Sequence, residues 1–66
     1  MKSEWFRQRN QVAGDTLFIA ARVRDISKTV HSGNIEYYGQ YESDQKVVDE
    51  IVRKLNNGEI TPEDNG

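Results

Sequence analysis

The stretch Asp44 to Gly58, DQKVVDEIVRKLNNG, specifies one short amphipathic helix and decides the fold class. Ser43 or Asp44 can cap its first turn, and Gly58 can supply the left-handed residue that ends it. Five apolar side chains recur at the 3.6-residue period and form one stripe along the helix: Val47, Val48, Ile51, Val52 and Leu55. Most of these are valine, a mediocre helix former, so packing against a sheet must stabilise the helix.

Three strand-like segments precede this helix. The clearest is Thr16 to Arg24, where apolar and other side chains alternate with the period of a half-buried strand. We predict strands at about 4–10, 16–24 and 35–41 and a helix at about 44–57, which gives an α+β fold. In this fold a three-stranded antiparallel sheet in β-β-β-α order is covered on one face by a single C-terminal helix. Residues 1–58 then form one domain, and residues 59–66 a disordered acidic tail.

Composition excludes several classes of protein. The 66 residues contain no cysteine, so disulfides and thiolate metal sites are absent, and the single His31 cannot form a multi-histidine metal site. No apolar run approaches the roughly 18–20 residues of a membrane span, so we expect a cytoplasmic protein without membrane contact. A core this small gives marginal stability unless the chain associates.

The sequence offers no convincing catalytic group. His31 and Ser32 are adjacent, but adjacent side chains rarely point at each other, and no third residue is placed to orient the base. Gly33 and Gly39 form no phosphate-binding pattern, and Gly39 inside a strand indicates a bulge or a close backbone approach. We therefore expect no enzyme activity, no metal and no cofactor, and no small-molecule ligand is evident.

Charge is unevenly distributed along the chain. Residues 1–34 contain six basic and three acidic side chains, whereas residues 35–66 contain three basic and eight acidic ones. Such asymmetry bears on partners rather than on fold. The alternative is that both regions are simply solvated surface.

A candidate binding surface can be identified once the helix is assigned to one face of the sheet. If the helix covers Leu17, Ile19, Ala21 and Val23, the opposite face is rich in aromatic and arginine side chains, which are enriched at interface hot spots. These candidate partner-binding residues are Trp5, Arg7, Arg9, Phe18, Arg22, Arg24 and Tyr38.

This open face predicts a small interaction module that binds a protein partner or forms a homodimer. The alternative function is DNA binding, with arginines on phosphates and aromatic rings on bases. Two structural alternatives also remain. Trp5 and Phe18 can complete a second small cluster with arginines over their rings, and Trp5 rather than Phe6 can face the core.

Two resemblances accompany these predictions. Residues 21–25 and 30–37, ARVRD and VHSGNIEY, resemble small proteins of phages and integrative elements of Gram-positive bacteria with no established activity. This resemblance covers roughly residues 5–57 and implies a setting in which short proteins act by binding. The order of three strands and a helix is also similar to the arm domains of some transposon integrases. There Arg7, Arg9, Arg22 and Arg24 would be the matching DNA contacts, although those domains are strongly basic and this chain is acidic overall.

Overall fold

The computed structural model describes residues 1–62 and consists of an antiparallel sheet followed by one helix. The strands are β1 (Phe6–Val12), β2 (Asp15–Val23) and β3 (Ile35–Glu42), and β2 lies between the other two. The helix, α1, is Gln45–Asn56, and a single 3₁₀ turn (Ser32–Asn34) precedes β3. The α+β class and the β-β-β-α order predicted from the sequence are confirmed.

A two-residue turn joins β1 and β2. Val12 pairs with Asp15, which leaves Ala13 and Gly14 between them with φ of 53° and 87°. Two positive φ values define a type I′ turn, whose twist matches that of the flanking strands. The predicted position of this connection is confirmed, although the turn is tighter than expected from the sequence.

Both ends of α1 have the expected caps. The Asp44 carboxylate accepts the Lys46 N–H at 2.9 Å and so caps the first turn. At the other end Gly58 has a φ of 80°, and the Glu59 N–H donates to the Lys54 carbonyl at 2.9 Å. This bond crosses the helix terminus as in a Schellman motif.

The turn after α1 extends the folded domain beyond the predicted boundary. It directs Ile60 back onto the core, where this side chain is half-buried, and Glu59 pairs with Arg53 at 2.9 Å. The predicted acidic tail at 59–66 is therefore wrong for Glu59 and Ile60, because the helix cap turns the chain towards the sheet. Residues 63–66 of that predicted tail lie outside the described residues.

The core lies between α1 and the sheet face that contains Trp5 and Ala20. These two pack with Val48 and Leu55 of α1, and the surrounding side chains are partly buried: Phe18, Tyr38, Ile51, Val52 and Ile60. The prediction that α1 covers Leu17, Ile19, Ala21 and Val23 is wrong. The small Ala20 lets the helix approach the sheet, while the large rings beside it bury more area than aliphatic side chains would.

Gly39 interrupts the pairing of β3 with β2, as predicted. The register shifts between Phe18 and Ala20 on β2, and Gly39 opposite has a φ of 83°. A bulge of this kind inserts extra residues into one strand and increases its local twist. Both Tyr37 and Tyr41, on the two sides of the bulge, end up on the sheet face away from α1.

No helix within residues 1–62 is long and apolar enough to cross a membrane.

Candidate protein-binding face

The sheet face away from α1 is the candidate functional surface, and we call it the open face. Strand pairing places Phe6 opposite Ala21, Gln8 opposite Ile19 and Ala21 opposite Tyr37, so these residues share one side. Extending the alternation along each strand gives the members of the open face: Phe6, Gln8, Asn10, Val12, Asp15, Leu17, Ile19, Ala21, Val23, Ile35, Tyr37 and Tyr41.

Two tyrosines of β3 lie across the middle of the open face. The Asn10 side-chain amide donates to the Tyr41 hydroxyl at 2.8 Å, and the Gln8 amide approaches the Tyr37 hydroxyl at 3.5 Å. Both hydroxyls thus reach from β3 over β2 to β1. Ile19 and Ala21 on β2 are buried although no helix covers them, because these rings act as their cover.

The outer layer of the open face is aromatic and exposed. Phe6, Tyr37 and Tyr41 are 38%, 44% and 43% exposed, and Leu17, Val23 and Ile35 on the same face are half-buried. Single exposed apolar residues are ordinary, but a contiguous group on one face marks an interaction surface.

Formal charge is nearly absent from the open face. Asp15, beside the β1–β2 turn, is the one charged side chain among the strand positions described there. The polar groups of the centre, on Gln8 and Asn10, are amides bonded to each other at 3.1 Å and to the tyrosines. Aromatic enrichment with few charges is the composition found at the centre of protein interfaces.

The seven residues predicted as partner-binding lie on the opposite side of the sheet. Arg7 pairs with Ala20, Arg9 with Phe18, and Tyr38 with Ala20, so the prediction that they share one face agrees with the strand register. That face is the one under α1, however, and Trp5 is only 6% exposed. Their assignment to the open face is therefore wrong, because the sequence pattern of β2 was assigned to the wrong side.

Two of these arginines lie against aromatic rings of the core, although Arg7 itself stays exposed. The Arg22 guanidinium lies 4.5 Å from the centroid of the Trp5 ring, and that of Arg7 lies 5.3 Å from the centroid of Phe18. Such cation–π contacts let the arginine stems cover the rings. The alternative in which arginines lie over Trp5 and Phe18 is thus confirmed for Arg22 and Arg7, although the cluster is the main core rather than a second one.

The same two arginines also form ion pairs at the rim of the core. Arg7 Nη1 is 2.7 Å from Asp49 of α1, and Arg22 Nε is 2.6 Å from Glu36 of β3. Lys2 reaches Glu36 as well, at 3.1 Å. Burial disfavours the charged carboxylate of Glu36, but hydrogen bonds from Arg22 and Lys2 outweigh burial, so the pKa of Glu36 lies below its ordinary value.

The remaining predicted site residues differ in their surroundings. Tyr38 packs edge-to-face on Trp5, with ring centroids 6.4 Å apart, and is part of the core. Arg9 and Arg24 are exposed. Arg24 lies at the far end of β2, where it lines a cleft beside the following loop.

The backbone just before β1 is covered at its outer edge by a side chain of α1. The Asn56 side chain of α1 accepts the Trp5 N–H at 2.9 Å and donates to the Trp5 carbonyl at 3.1 Å. One amide side chain thus takes the place of a neighbouring strand at this residue, which blocks edge-to-edge pairing there. The open face is therefore better placed for association than the start of the β1 edge.

Sequence reasoning missed Phe6, Tyr37 and Tyr41 as surface residues. The available signal was the set of uncharged residues at alternate positions of β1 and β3, in which Gln8 and Asn10 accompany these rings. Within residues 1–62 no group of three potential metal ligands occurs.

No protein-family model, curated protein or solved structure matches this chain. The resemblances to mobile-element proteins and to integrase arm domains therefore stay predictions.

Proposed function

We propose that this chain is a small non-enzymatic interaction module that binds protein through its open face, with a second copy of the chain as the partner. The observation that supports this is an exposed aromatic face almost free of charge. The cytoplasm is the location that we propose, in line with the cysteine-free sequence.

Charge favours self-association through this face. The chain has a net charge of −2, so two copies repel each other weakly through most orientations. Among the described strand positions of the open face, the one acidic side chain, Asp15, lies at the end of the hairpin. Two copies related by a two-fold axis can therefore bring their tyrosine-rich centres together without opposing like charges.

The size of the face sets the strength of the dimer. Three strands about 4.8 Å apart and eight residues long, at about 3.3 Å each, cover roughly 14 by 26 Å. Two such faces bury less than the roughly 1,200–2,000 Å² of a standard stable interface. The expected complex is thus a weak dimer, with a dissociation constant above about 1 μM.

Sedimentation equilibrium over a range from micromolar to millimolar protein tests the proposal. The wild-type chain should shift from monomer to dimer as concentration rises. Tyr37→Lys combined with Tyr41→Lys should remain a monomer throughout, because two like charges would face each other in a desolvated centre.

Two exposed valines outside the strands of the open face provide a control double variant with the same change in charge. Val47 is 41% exposed, a fraction similar to that of Tyr37 and Tyr41, but it lies on α1 away from the open face. Val30, in the loop between β2 and β3, is 62% exposed. Val47→Lys combined with Val30→Lys adds the same two charges and should leave dimerisation unchanged. A wild-type chain that stays monomeric at millimolar concentration would remove self-association, and equal loss in both double variants would remove the open face as its site.

DNA binding has less support than protein binding. That hypothesis depended on four arginines on the uncovered face, and Arg7 and Arg22 instead contact carboxylates and rings beside α1. Among the strand positions of the open face described above there is no cation to neutralise a phosphate, and neutralised phosphates supply most of the affinity for nucleic acid.

A further inference from the structure

The loop between β2 and β3 is built around one buried asparagine. The Asn34 amide donates to the carbonyls of Asp25 at 2.9 Å and Thr29 at 3.2 Å, and its oxygen accepts the Asp25 N–H at 3.0 Å. The Arg24 N–H adds a bond to the Asn34 carbonyl at 2.8 Å. These bonds fix the shape of the connection between β2 and β3, residues 24–34, and shaped loops on a rigid sheet are common binding elements.

A cleft of about 350 Å³ lies against this loop. Two cationic side chains and an imidazole line it, together with the loop backbone: Arg24, Lys28 and His31. Within residues 1–62 neither the Arg24 nor the Lys28 side chain has an acidic partner within ion-pair distance. The volume is at the lower end of the range for small-molecule sites.

The orientation of His31 is set by the loop itself. Its Nδ1 accepts the Gly33 N–H at 3.0 Å, so the proton of the neutral ring is on Nε2 and remains available as a donor. Gly33 is required for this arrangement, since a Cβ at that position would lie 2.9 Å from Cε1 of His31 and 3.2 Å from its Nδ1.

The one carboxylate in the lining is already occupied. Asp25 accepts the Ser27 N–H at 3.0 Å and the Ser27 hydroxyl at 2.6 Å. The hydroxyl bond is the largest of the effects that hold the pKa of Asp25 below its ordinary value, so the carboxylate stays charged but satisfied by its own loop. Asp25 is therefore an anion in the lining, but its only ion-pair contact within residues 1–62 is the Met1 amino group at 3.5 Å, and it pairs with neither Arg24 nor Lys28.

We propose that this cleft binds the phosphate group of a small phosphate ester. A guanidinium fork, an ammonium group and an imidazole N–H supply donors for several oxygens of one dianion. The rings that could stack on a nucleobase, those of the open face and of the core, do not line the cleft. Recognition is thus expected to rest on the phosphate group and not on the rest of the molecule.

Titration of the ¹⁵N-labelled chain with inorganic phosphate, at ionic strength held constant with sodium chloride, tests the site. The backbone amides of Asp25, Gly33 and Asn34 should shift and saturate with a dissociation constant on the order of 1 mM. Glycerol 2-phosphate should bind equally well. Failure of the ester to bind where inorganic phosphate does would overturn the proposal of an ester ligand.

Two double variants distinguish binding at this cleft from general electrostatic attraction to the chain. Arg24→Gln combined with Lys28→Gln should weaken binding at least about tenfold. Arg9→Gln combined with Lys46→Gln removes the same number of exposed charges elsewhere and should leave binding unchanged. Equal weakening in both double variants would reduce the effect to general electrostatic attraction and contradict the proposal.

Gly33→Ala tests the geometry without altering any charge. The added methyl displaces the His31 ring, so phosphate binding should weaken by a few-fold while Arg24 and Lys28 are retained. Circular dichroism checks that each variant is folded. Phosphate binding that is unchanged in Gly33→Ala would remove His31 from the site, and the three-donor cleft proposed here would be wrong.

Discussion

The two faces of one sheet are both apolar, but they differ in where their charges lie. On the covered face, Arg7 and Arg22 lie over aromatic rings and pair with Asp49 and Glu36. On the open face, tyrosines bond to neutral amides. On the covered face, charged side chains thus pack over the edge of the core, whereas the centre of the open face is aromatic and uncharged. Arginine beside tryptophan is therefore a core feature in this chain, and the neutral face is the better candidate for binding.

Trp5 and Phe6 offer the sharpest contrast, because adjacent residues point to opposite faces. Trp5→Ala removes the largest ring of the core and should destabilise the fold by about 3–5 kcal/mol, enough to unfold much of so small a domain. Phe6→Ala removes a ring that is 38% exposed and should cost less than about 1.5 kcal/mol. Urea denaturation followed by circular dichroism measures both. An equal loss in the two variants would contradict the assignment of the faces.

Arg22 and Arg9 allow a comparison between an arginine that contacts the core and an exposed one. Arg22→Ala removes the contact with Trp5 and leaves the partly buried Glu36 carboxylate with Lys2, so we expect a loss of about 1–3 kcal/mol. Arg9→Ala, at an exposed position on the same side, should change stability by less than about 0.5 kcal/mol. Urea midpoints of the two variants decide the matter. A urea midpoint that is unchanged in Arg22→Ala would mean that the contacts of Arg22 do not stabilise the core.

Lowering the pH should reduce the stability of the fold by protonating Glu36 on the covered face. The pKa of Glu36 is lowered in the folded chain, so the folded state binds its proton less readily than the unfolded state does. Its contribution to stability is present above the ordinary pKa of about 4.5 that Glu36 has in the unfolded chain, and it is lost as the pH falls through the lower pKa of the folded state. The stability advantage of the wild type over Glu36→Gln should therefore shrink between pH 6 and pH 3. A difference that stays constant across this range would show that the ion pair adds nothing. Other carboxyls with lowered pKa values, such as Glu50 and Asp25, are common to both proteins and cancel in the comparison.

The elements of this fold could be predicted because they are specified locally. The stripe, the Asp44 cap and the Gly58 terminator all lie within the helix segment, and each strand has its own alternation. The covered face could not be predicted in the same way, since both faces of β2 have apolar residues. It depends on contacts between residues distant in sequence, such as the Asn56 amide on the Trp5 backbone, 51 residues away.

The candidate site was missed for the same reason. The grouping of Trp5, the arginines, Phe18 and Tyr38 followed correctly from strand alternation, but the side that α1 covers decides whether such a group binds a partner or forms the core. The weight given to aliphatic residues on β2 favoured the wrong side, because large rings bury more area per residue. The position of Ile60 was missed because it depends on how the chain turns after Gly58.

The most direct test of the open face is an isotope-filtered nuclear Overhauser experiment on an equal mixture of ¹³C-labelled and unlabelled chain at millimolar concentration. We expect contacts between molecules that involve the rings of Phe6, Tyr37 and Tyr41 and the side chains of Leu17 and Ile35. Intermolecular contacts that arise instead from α1 or from the sheet edges, or none at all under conditions in which the protein is dimeric, would contradict it.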